Sequence, residues 1–333
     1  MIPYPNSATL IAKGVGMYEQ TIVFHFADSS TLTLTNEDIL GDTGVEIEDA
    51  TSSQDTLQVG AAIVNKCSFT IANFNGNYDN TDFIGARFTV TIGIPIPNST
   101  SDSALKGTFY VVEQTFTDSA ISIVGYDAMH LFDKPYSLSS LTYPKQVGAI
   151  VADACSVCGV TLNSSSGLDG SMSIPTKPDG NSVTFREVIS WIAQMQGKFA
   201  RIGADGKLAF RWYDTNTLGN ENAQPSAYHT IQSIYSKQVS KADVTITGIK
   251  INLDEETSQT VGTDDYMLEI SGNEFITADN VSTVLSTLNT RLVGMTFRKI
   301  EVSHLSDPRI EAGDVFKLVV GNDHYWGDRK SVV

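Results

Sequence analysis

The sequence predicts a mainly β protein of the α+β kind, and three observations carry that expectation. Between residues 20 and 130, short runs alternate β-branched or aromatic residues with polar ones, separated by turn residues. From about residue 136 the apolar period lengthens to that of amphipathic helices. After residue 228 the alternation returns, interrupted by one helical stretch at 277–293. The expected units are therefore 1–135, all β; 136–227, a small α/β domain; and 228–333, a second β domain with a helical excursion. A chain of 333 residues has room for two to three domains, each with its own core.

In the first unit the strands are "TIVFHF", "STLTLT", "CSFTIANF", "ARFTVTIGI", "GTFYVVEQTF" and "AISIVGYDA". Asp118 and Ser119 in "TFTDSAISI" place a hairpin turn, and the Ser-rich "PNSTSDSA" at 97–104 is expected to be an exposed loop. In the second unit, Val147, Ile150, Val151, Ala154, Cys155 and Cys158 share one face of a helix that Gly159 ends. A Ser/Gly/Pro-rich loop follows. Thr184 and Glu187 then match a capping box, and Phe185, Val188, Ile189, Ile192 and Ala193 keep the helical period up to Gly197. "KFARIGADGKLAFRWY" predicts a hairpin around Asp205 and Gly206.

In the third unit "DVTITGIKINL" and "YMLEI" are strands, joined by "DEETSQTVGTDD", an acidic stretch expected to be a solvated loop. Val281, Val284, Leu285, Leu288 and Leu292 line one face of a third helix, with Thr277 as the expected N-cap. "FRKIEVSH" and "DVFKLVVG" restore the alternation.

Charge excludes whole classes of partner. With 22 Lys and Arg against 38 Asp and Glu the net charge is -16, which disfavours non-specific attraction to nucleic acid or an anionic membrane. No run approaches the roughly 18 apolar residues of a membrane span, and "MIPYPNSATL" lacks the pattern of a secretion signal. Three cysteines, Cys67, Cys155 and Cys158, are too few for a disulfide framework and fit a reducing cytoplasm.

The search for chemistry is mostly negative. His25, His130, His229, His304 and His324 are scattered, and HExxH, GxSxG, Walker and Rossmann signatures are missing. "CSVC" is a CxxC without a second pair, so both thiols read as small core residues of the helix. "DAMHLFD" gathers Asp127, His130 and Asp133, a commonplace density in an acidic chain, read as a strand end leaving the first β domain. Trp191, Trp212 and Trp326 are dispersed and make no aromatic platform. Asn73, Asn75, Asn77 and Asp79 resemble a calcium loop in their alternation. If Asn73 is position 1, however, glycine falls at position 4 and Ile84 stands where a bidentate Glu belongs. A structural turn accounts for the cluster better. The expectation is no catalytic residue, no cofactor and no metal.

"FTIANFNGNYDNTDFIGARFTVTIG", then "GTFYVVEQTFTDSAISIVGYDAMHLFDKPY" and "TFREVISWIAQMQGKFARIGADGKLAF", resemble the tail-hub family of long-tailed phages and prophages. That family includes the N-terminal part of tail-associated lysins, also called prophage endopeptidase tail proteins. "GTDDYMLEISGN" and "DPRIEAGDVFKLVV" extend the resemblance towards the C-terminus. The resemblance implies two similar β-barrel domains flanking the α/β domain, and a homotrimeric ring that joins a hexameric tail tube to a three-fold tip. It assigns residues 73–82 to a barrel turn, Gly85 to the start of the next strand and "GYDAMHLFDKPY" to the barrel exit. It further implies a place in the virion tail tip or baseplate, and synthesis in the host cytoplasm. The implied partners are the distal tail protein and the tail-tip or fibre proteins, with DNA passing through but not binding. Two other functions compete: a receptor- or glycan-binding β module of the tail tip, and the N-terminal part of a peptidoglycan hydrolase.

If Cys155 and Cys158 are packing residues, replacing both by Ala will cost on the order of 1–3 kcal/mol in denaturant unfolding and leave the assembly state unchanged. Loss of a bound metal or a redox activity at unchanged stability would instead reveal a working CxxC.

Overall fold

The computed structural model describes residues 18–41, 44–53, 57–96, 102–179, 181–214, 222, 229–231, 234–304, 307–320, 323–328 and 331–332. The expected loop at 97–104 lies outside the described residues at 97–101.

The first strands are β1 (Glu19–His25), β2 (Thr31–Leu34), β3 (Ile39–Leu40), β4 (Glu46–Ala50), β5 (Lys66–Ala72), β6 (Arg87–Ile94), β7 (Asp102–Phe116) and β8 (Ala120–Asp127). Residues 102–104 therefore begin a strand, against expectation, because Asp102 pairs with Ile94 and the β6–β7 ladder runs further than the polar composition suggests. With β24 (Ser331–Val332) these strands form one nine-stranded sheet, ordered β2-β1-β6-β7-β8-β5-β4-β24, with β3 beside β5. A single 3-10 turn at Asn36–Asp38 separates β2 at one end of this order from β3 at the other side, so the sheet curls into a nearly closed barrel. Alternation fills it: Ile22, Phe24, Phe69, Ile71, Phe88, Val90, Ile121 and Ile123 are buried in one cluster.

The middle region holds β9 (Lys145–Gln146), helix α1 (Val147–Cys158), β10 (Thr161–Leu162), β11 (Ser173–Ile174), helix α2 (Phe185–Met195), β12 (Phe199–Ile202) and β13 (Lys207–Arg211). Gly159 ends α1 in the left-handed conformation at φ 74, with the N–H of Val160 returning to Cys155 O at 2.9 Å. At the head of α2, Thr184 N–H donates to Glu187 Oε2 at 2.7 Å while Glu187 N–H donates to Thr184 Oγ1 at 3.2 Å, the capping box read from the sequence. β12 and β13 form the expected hairpin, and β10 adds to β13 in parallel.

The last region comprises β14 (His229–Ile231), β15 (Ile234–Val239), β16 (Val244–Thr245), β17 (Gly248–Asn252), β18 (Ser258–Gly262), β19 (Met267–Ile270), helix α3 (Val281–Leu292), β20 (Thr296–Phe297), β21 (Ile300–His304), β22 (Val315–Val320) and β23 (Asp323–Asp328). Among the described residues these strands form four small sheets, unlike the single sheet of the first region. The acidic stretch at 254–265 is not all loop. Asp254 Oδ1 accepts from Glu256 N–H and Thr257 N–H at 2.9 and 2.6 Å, making a turn that folds β18 back onto β17. Helix α3 also begins later than expected, at Val281 with Asn280 as N-cap. Asn280 reaches back, accepting from Thr277 N–H and donating to Phe275 O, both at 2.8 Å, and so holds residues 277–280 in a turn.

The largest apolar cluster crosses the expected boundary at residue 227. It joins Ile150, Val151 and Ala154 of α1, Val188, Ile189 and Ile192 of α2, Ile249 and Ile251 of β17, and Val284, Leu285 and Leu288 of α3. Trp191 of α2 meets Phe275 edge-on at 5.5 Å between centroids, and Asn273 Nδ2 donates to Trp191 O at 3.1 Å. The remaining strands of the last region enclose a separate small cluster of Ile231, Ile310 and Leu318.

Residues 60–62, which follow the barrel's β4, also belong to this middle region. Ala62 bridges Ala200 of β12, and Ser190 Oγ of α2 donates to Gly60 O at 2.5 Å. Gly60 has φ +87, and a Cβ there would lie 2.4 Å from Gln194 Cβ. Gly60→Ala is therefore expected to lower unfolding free energy by on the order of 1–3 kcal/mol through backbone strain and overpacking. An unchanged urea midpoint would show that the 60–62 segment and α2 have room to separate.

Candidate functional site

The residues singled out by sequence do not converge. Asp127 caps the 3-10 helix Ala128–Asp133 by accepting from Met129 N–H at 3.0 Å. His130 Nδ1 lies 2.6 Å from Asp127 O, its ring against Tyr110 and Tyr126, while Asp133 pairs outward with Arg186. "DAMHLFD" thus closes the barrel exit and joins it to α2.

The Asn-rich loop after β5 is organised by Asn73, which is buried. Its Oδ1 accepts from Tyr78 N–H at 3.0 Å and its Nδ2 donates to Asp79 Oδ1 at 2.7 Å. Gly76 takes φ 66 within this turn and donates its N–H to Asn73 O. The oxygens at 73 and 79 are thereby engaged in holding the turn.

Cys155 and Cys158 are buried on the inner face of α1 within the main core. Burial pushes the Cys155 thiol up to about 12 and the Cys158 thiol up to about 11, so both stay protonated at neutral pH and are poor nucleophiles and metal ligands. Among the described residues, no three His, Cys, Asp or Glu side chains come together as a metal site, and no helix is long and apolar enough to cross a membrane.

The densest polar site is one that sequence inspection missed. Arg201 of β12, 8% exposed, sits where the barrel, the β12–β13 hairpin and the segment before β22 meet. Its Nη2 donates to Asp49 Oδ2 of β4 at 3.2 Å and to Glu311 Oε1 at 3.4 Å, and its Nη1 donates to Ala312 O. Asp49 Oδ2 also accepts from Ala312 N–H at 2.8 Å. Lys106 of β7 adds bonds to Pro308 O and Ile310 O at 3.2 and 2.5 Å. Nearby, Asp314 Oδ2 accepts from Glu311 N–H at 3.1 Å and lies 3.3 Å from His229 Nε2. These partners lie 110 and 152 residues from Arg201, so no local motif announces them.

A cavity of about 30 Å³ adjoins this cluster, lined by Asp49, Asn65, Thr108, Asp127 and Arg201 among others. Two buried atoms beside it, Asp127 Oδ2 and Arg201 Nε, have no hydrogen-bond partner among the described residues. Burial is the main cause that pushes the Asp127 carboxyl up to about 8, with the Asp49 charge acting in the same direction. At neutral pH Asp127 is therefore mostly protonated. The site holds opposite charges in fixed register and clamps the barrel to β12 and to the segment before β22.

No family model matches the chain, and no curated protein sequence matches it. Solved structures do. The 43 kDa tail protein of prophage MuSo2 from Shewanella oneidensis aligns with a TM-score of 0.53 at 12% identity, over 94% of this chain and 92% of that one. A tail protein from Neisseria meningitidis MC58 aligns with a TM-score of 0.56 at 10% identity, over 94% and 90%. A prophage tail protein from Listeria monocytogenes EGD-e gives 0.53 at 13% identity, over 94% and 89%. The chain has the fold of these prophage tail proteins. The resemblance carried by the turns and strand spacing is thus met at the level of the fold, along nearly the whole chain.

The Asp127 carboxyl has a direct consequence for stability. A carboxyl raised from 3.8 to about 8 on folding binds a proton in the native state that the unfolded chain has already released. Its stabilising contribution is complete below about pH 4 and is lost as pH rises through about 8, with a limiting slope of roughly 1.4 kcal/mol per pH unit between. Asp127→Asn, which keeps an acceptor for Met129 N–H, is expected to flatten this part of the stability profile between pH 5 and 8. Parallel profiles for the two proteins in urea titrations would refute a protonated Asp127.

Proposed function

We propose that the chain is a structural protein of a phage or prophage tail, acting as a hub between a hexameric tail tube and a three-fold tip. The observation that carries this reading is the fold shared with three prophage tail proteins over 94% of this chain and about nine-tenths of theirs. The clamp around Arg201 supports it, because a load-bearing connector needs its barrel held rigidly against the rest of the chain.

In the proposed assembly three copies close around an axis through one repeated heterologous interface. The nine-stranded barrel and the smaller β region around Ile231, Ile310 and Leu318 alternate around the ring, offering six β surfaces to the tube. A net charge of -16 on each copy repels phosphate, which favours passage of DNA over its retention. In this reading the chain is not an enzyme, and its partners are the distal tail protein and the tail-tip or fibre proteins.

Sedimentation velocity with electron micrographs of the purified chain tests the assembly. The expected result is a trimeric ring with an open channel and no measurable affinity for duplex DNA at low salt. A strictly monomeric chain, an assembly of another symmetry, or digestion of peptidoglycan by the purified protein would overturn the reading.

A further inference from the structure

One mouth of the barrel carries a groove of about 840 Å³ between the β1–β2 turn and residues 77–86. Its apolar lining includes Phe26, Leu32, Tyr78 and Ile84, and its polar rim carries Asp28 and Asp82. The floor is firm. Phe83, fully buried, lies 6.0 Å from the Phe26 ring and 6.5 Å from the Tyr78 ring. Phe83 N–H is held by Gln114 Oε1 at 2.9 Å, and Gly85 N–H by Val111 O at 2.9 Å, so the loop is anchored along β7.

The rim beside this rigid floor is left open. Ile84 is 50% exposed, and Phe74 and Phe116, 70% and 42% exposed, lie at the same barrel end, where Asn73 N–H bonds Ser119 O. These are three of five large hydrophobics exposed among the described residues, and single exposed apolar residues are ordinary whereas grouped ones mark contact surfaces.

Charge narrows the occupant. The lining contains no Lys, Arg or His, and among the described residues no ion pair neutralises Asp28 or Asp82. Asp28 receives the N–H and hydroxyl of Ser30, which hold its carboxyl below the usual range, and Asp82 Oδ1 accepts from Ile84 N–H and Gln114 Nε2. Arg87, the first residue of β6, is not part of the lining. A second copy of a chain with net charge -16 would bring like charge to this rim.

We propose that this groove docks a loop or extended segment of a different protein that presents an apolar side chain flanked by lysine or arginine. The apolar side chain fills the space over Phe26, Tyr78 and Ile84, and the flanking cations pair with Asp28 and Asp82. The proposal stands on the groove and does not depend on the tail reading.

The probe is a set of three nonapeptides, one alternating Leu with Lys, one Leu with Glu and one Ser with Lys, titrated against the full chain by fluorescence anisotropy at physiological salt. The Leu/Lys peptide is expected to saturate and to bind about tenfold or more tighter than the other two. Ile84→Glu, and separately the double variant Asp28→Lys with Asp82→Lys, are each expected to weaken it about tenfold. A control with the same charge change elsewhere, Glu255→Lys with Glu256→Lys, is expected to stay within about twofold. Absence of saturation, equal binding of the Ser/Lys peptide, or equal loss in the control would overturn the proposal. Dissociation of a chain oligomer by Ile84→Glu in sedimentation would also overturn it, by assigning the groove to a second copy.

Discussion

A guanidinium withdrawn from water needs its donors met in place, and both Nη groups of Arg201 are met by partners from two distant parts of the chain. Asp49 arrives from the barrel, and Glu311 and Ala312 from the segment that leads into β22. Asp49 serves twice, since one carboxylate oxygen binds both Arg201 and the Ala312 amide. Such a buried ion pair adds little or no net stability over a well-packed apolar replacement, yet losing one partner costs about 3–5 kcal/mol because a charge is left stranded. Its value here is directional. Apolar contacts tolerate sliding, whereas these bonds specify one arrangement of barrel, hairpin and C-terminal segment.

The same junction explains the environment of Asp127. Its carboxyl lies at the end of β8, where the barrel hands the chain to the helical region, and one oxygen is committed to capping the Ala128–Asp133 turn. The other faces a space shared with Arg201 and Asp49. Burial keeps that oxygen from water, and a second negative charge would add to that of Asp49, so the proton is retained on Asp127. Neutrality of Asp127 leaves the buried Asp49 and the part-buried Glu311 as the two charges that face Arg201.

The central core is shared by the middle region and the helical excursion of the last one. β16 and β20 pair at the point where the chain leaves and returns, with Thr245 and Thr296 hydroxyls 2.7 Å apart. Everything between them, β17 to β19 and α3, packs onto α1 and α2 in one core. The strands on either side form the smaller β cluster.

Local structure was largely decided by the sequence alone. The capping box at Thr184, the left-handed Gly159, the hairpins at Asp118–Ser119 and Asp205–Gly206 and the turn held by Asn73 all depend on atoms a few residues apart, so their signals survive without the fold. The alternation in β1 to β8 likewise reported which residues face the barrel core. Tertiary structure decided the rest. β18 exists because β17 offers it a ladder, although its flanks are acidic, and α3 starts only at Val281 because the side chain of its N-cap, Asn280, ties down the turn before it. The core crosses residue 227 because helices 90 residues apart share one apolar surface. No catalytic chemistry was legible in the sequence. The polar site that does exist is assembled from Asp49, Asp127, Arg201 and Glu311, each unremarkable in its own stretch, and the acidic rim of the groove comes from two separate loops. Long-range electrostatic complementarity leaves no periodic trace along a chain, because it constrains positions in space and not spacings in sequence.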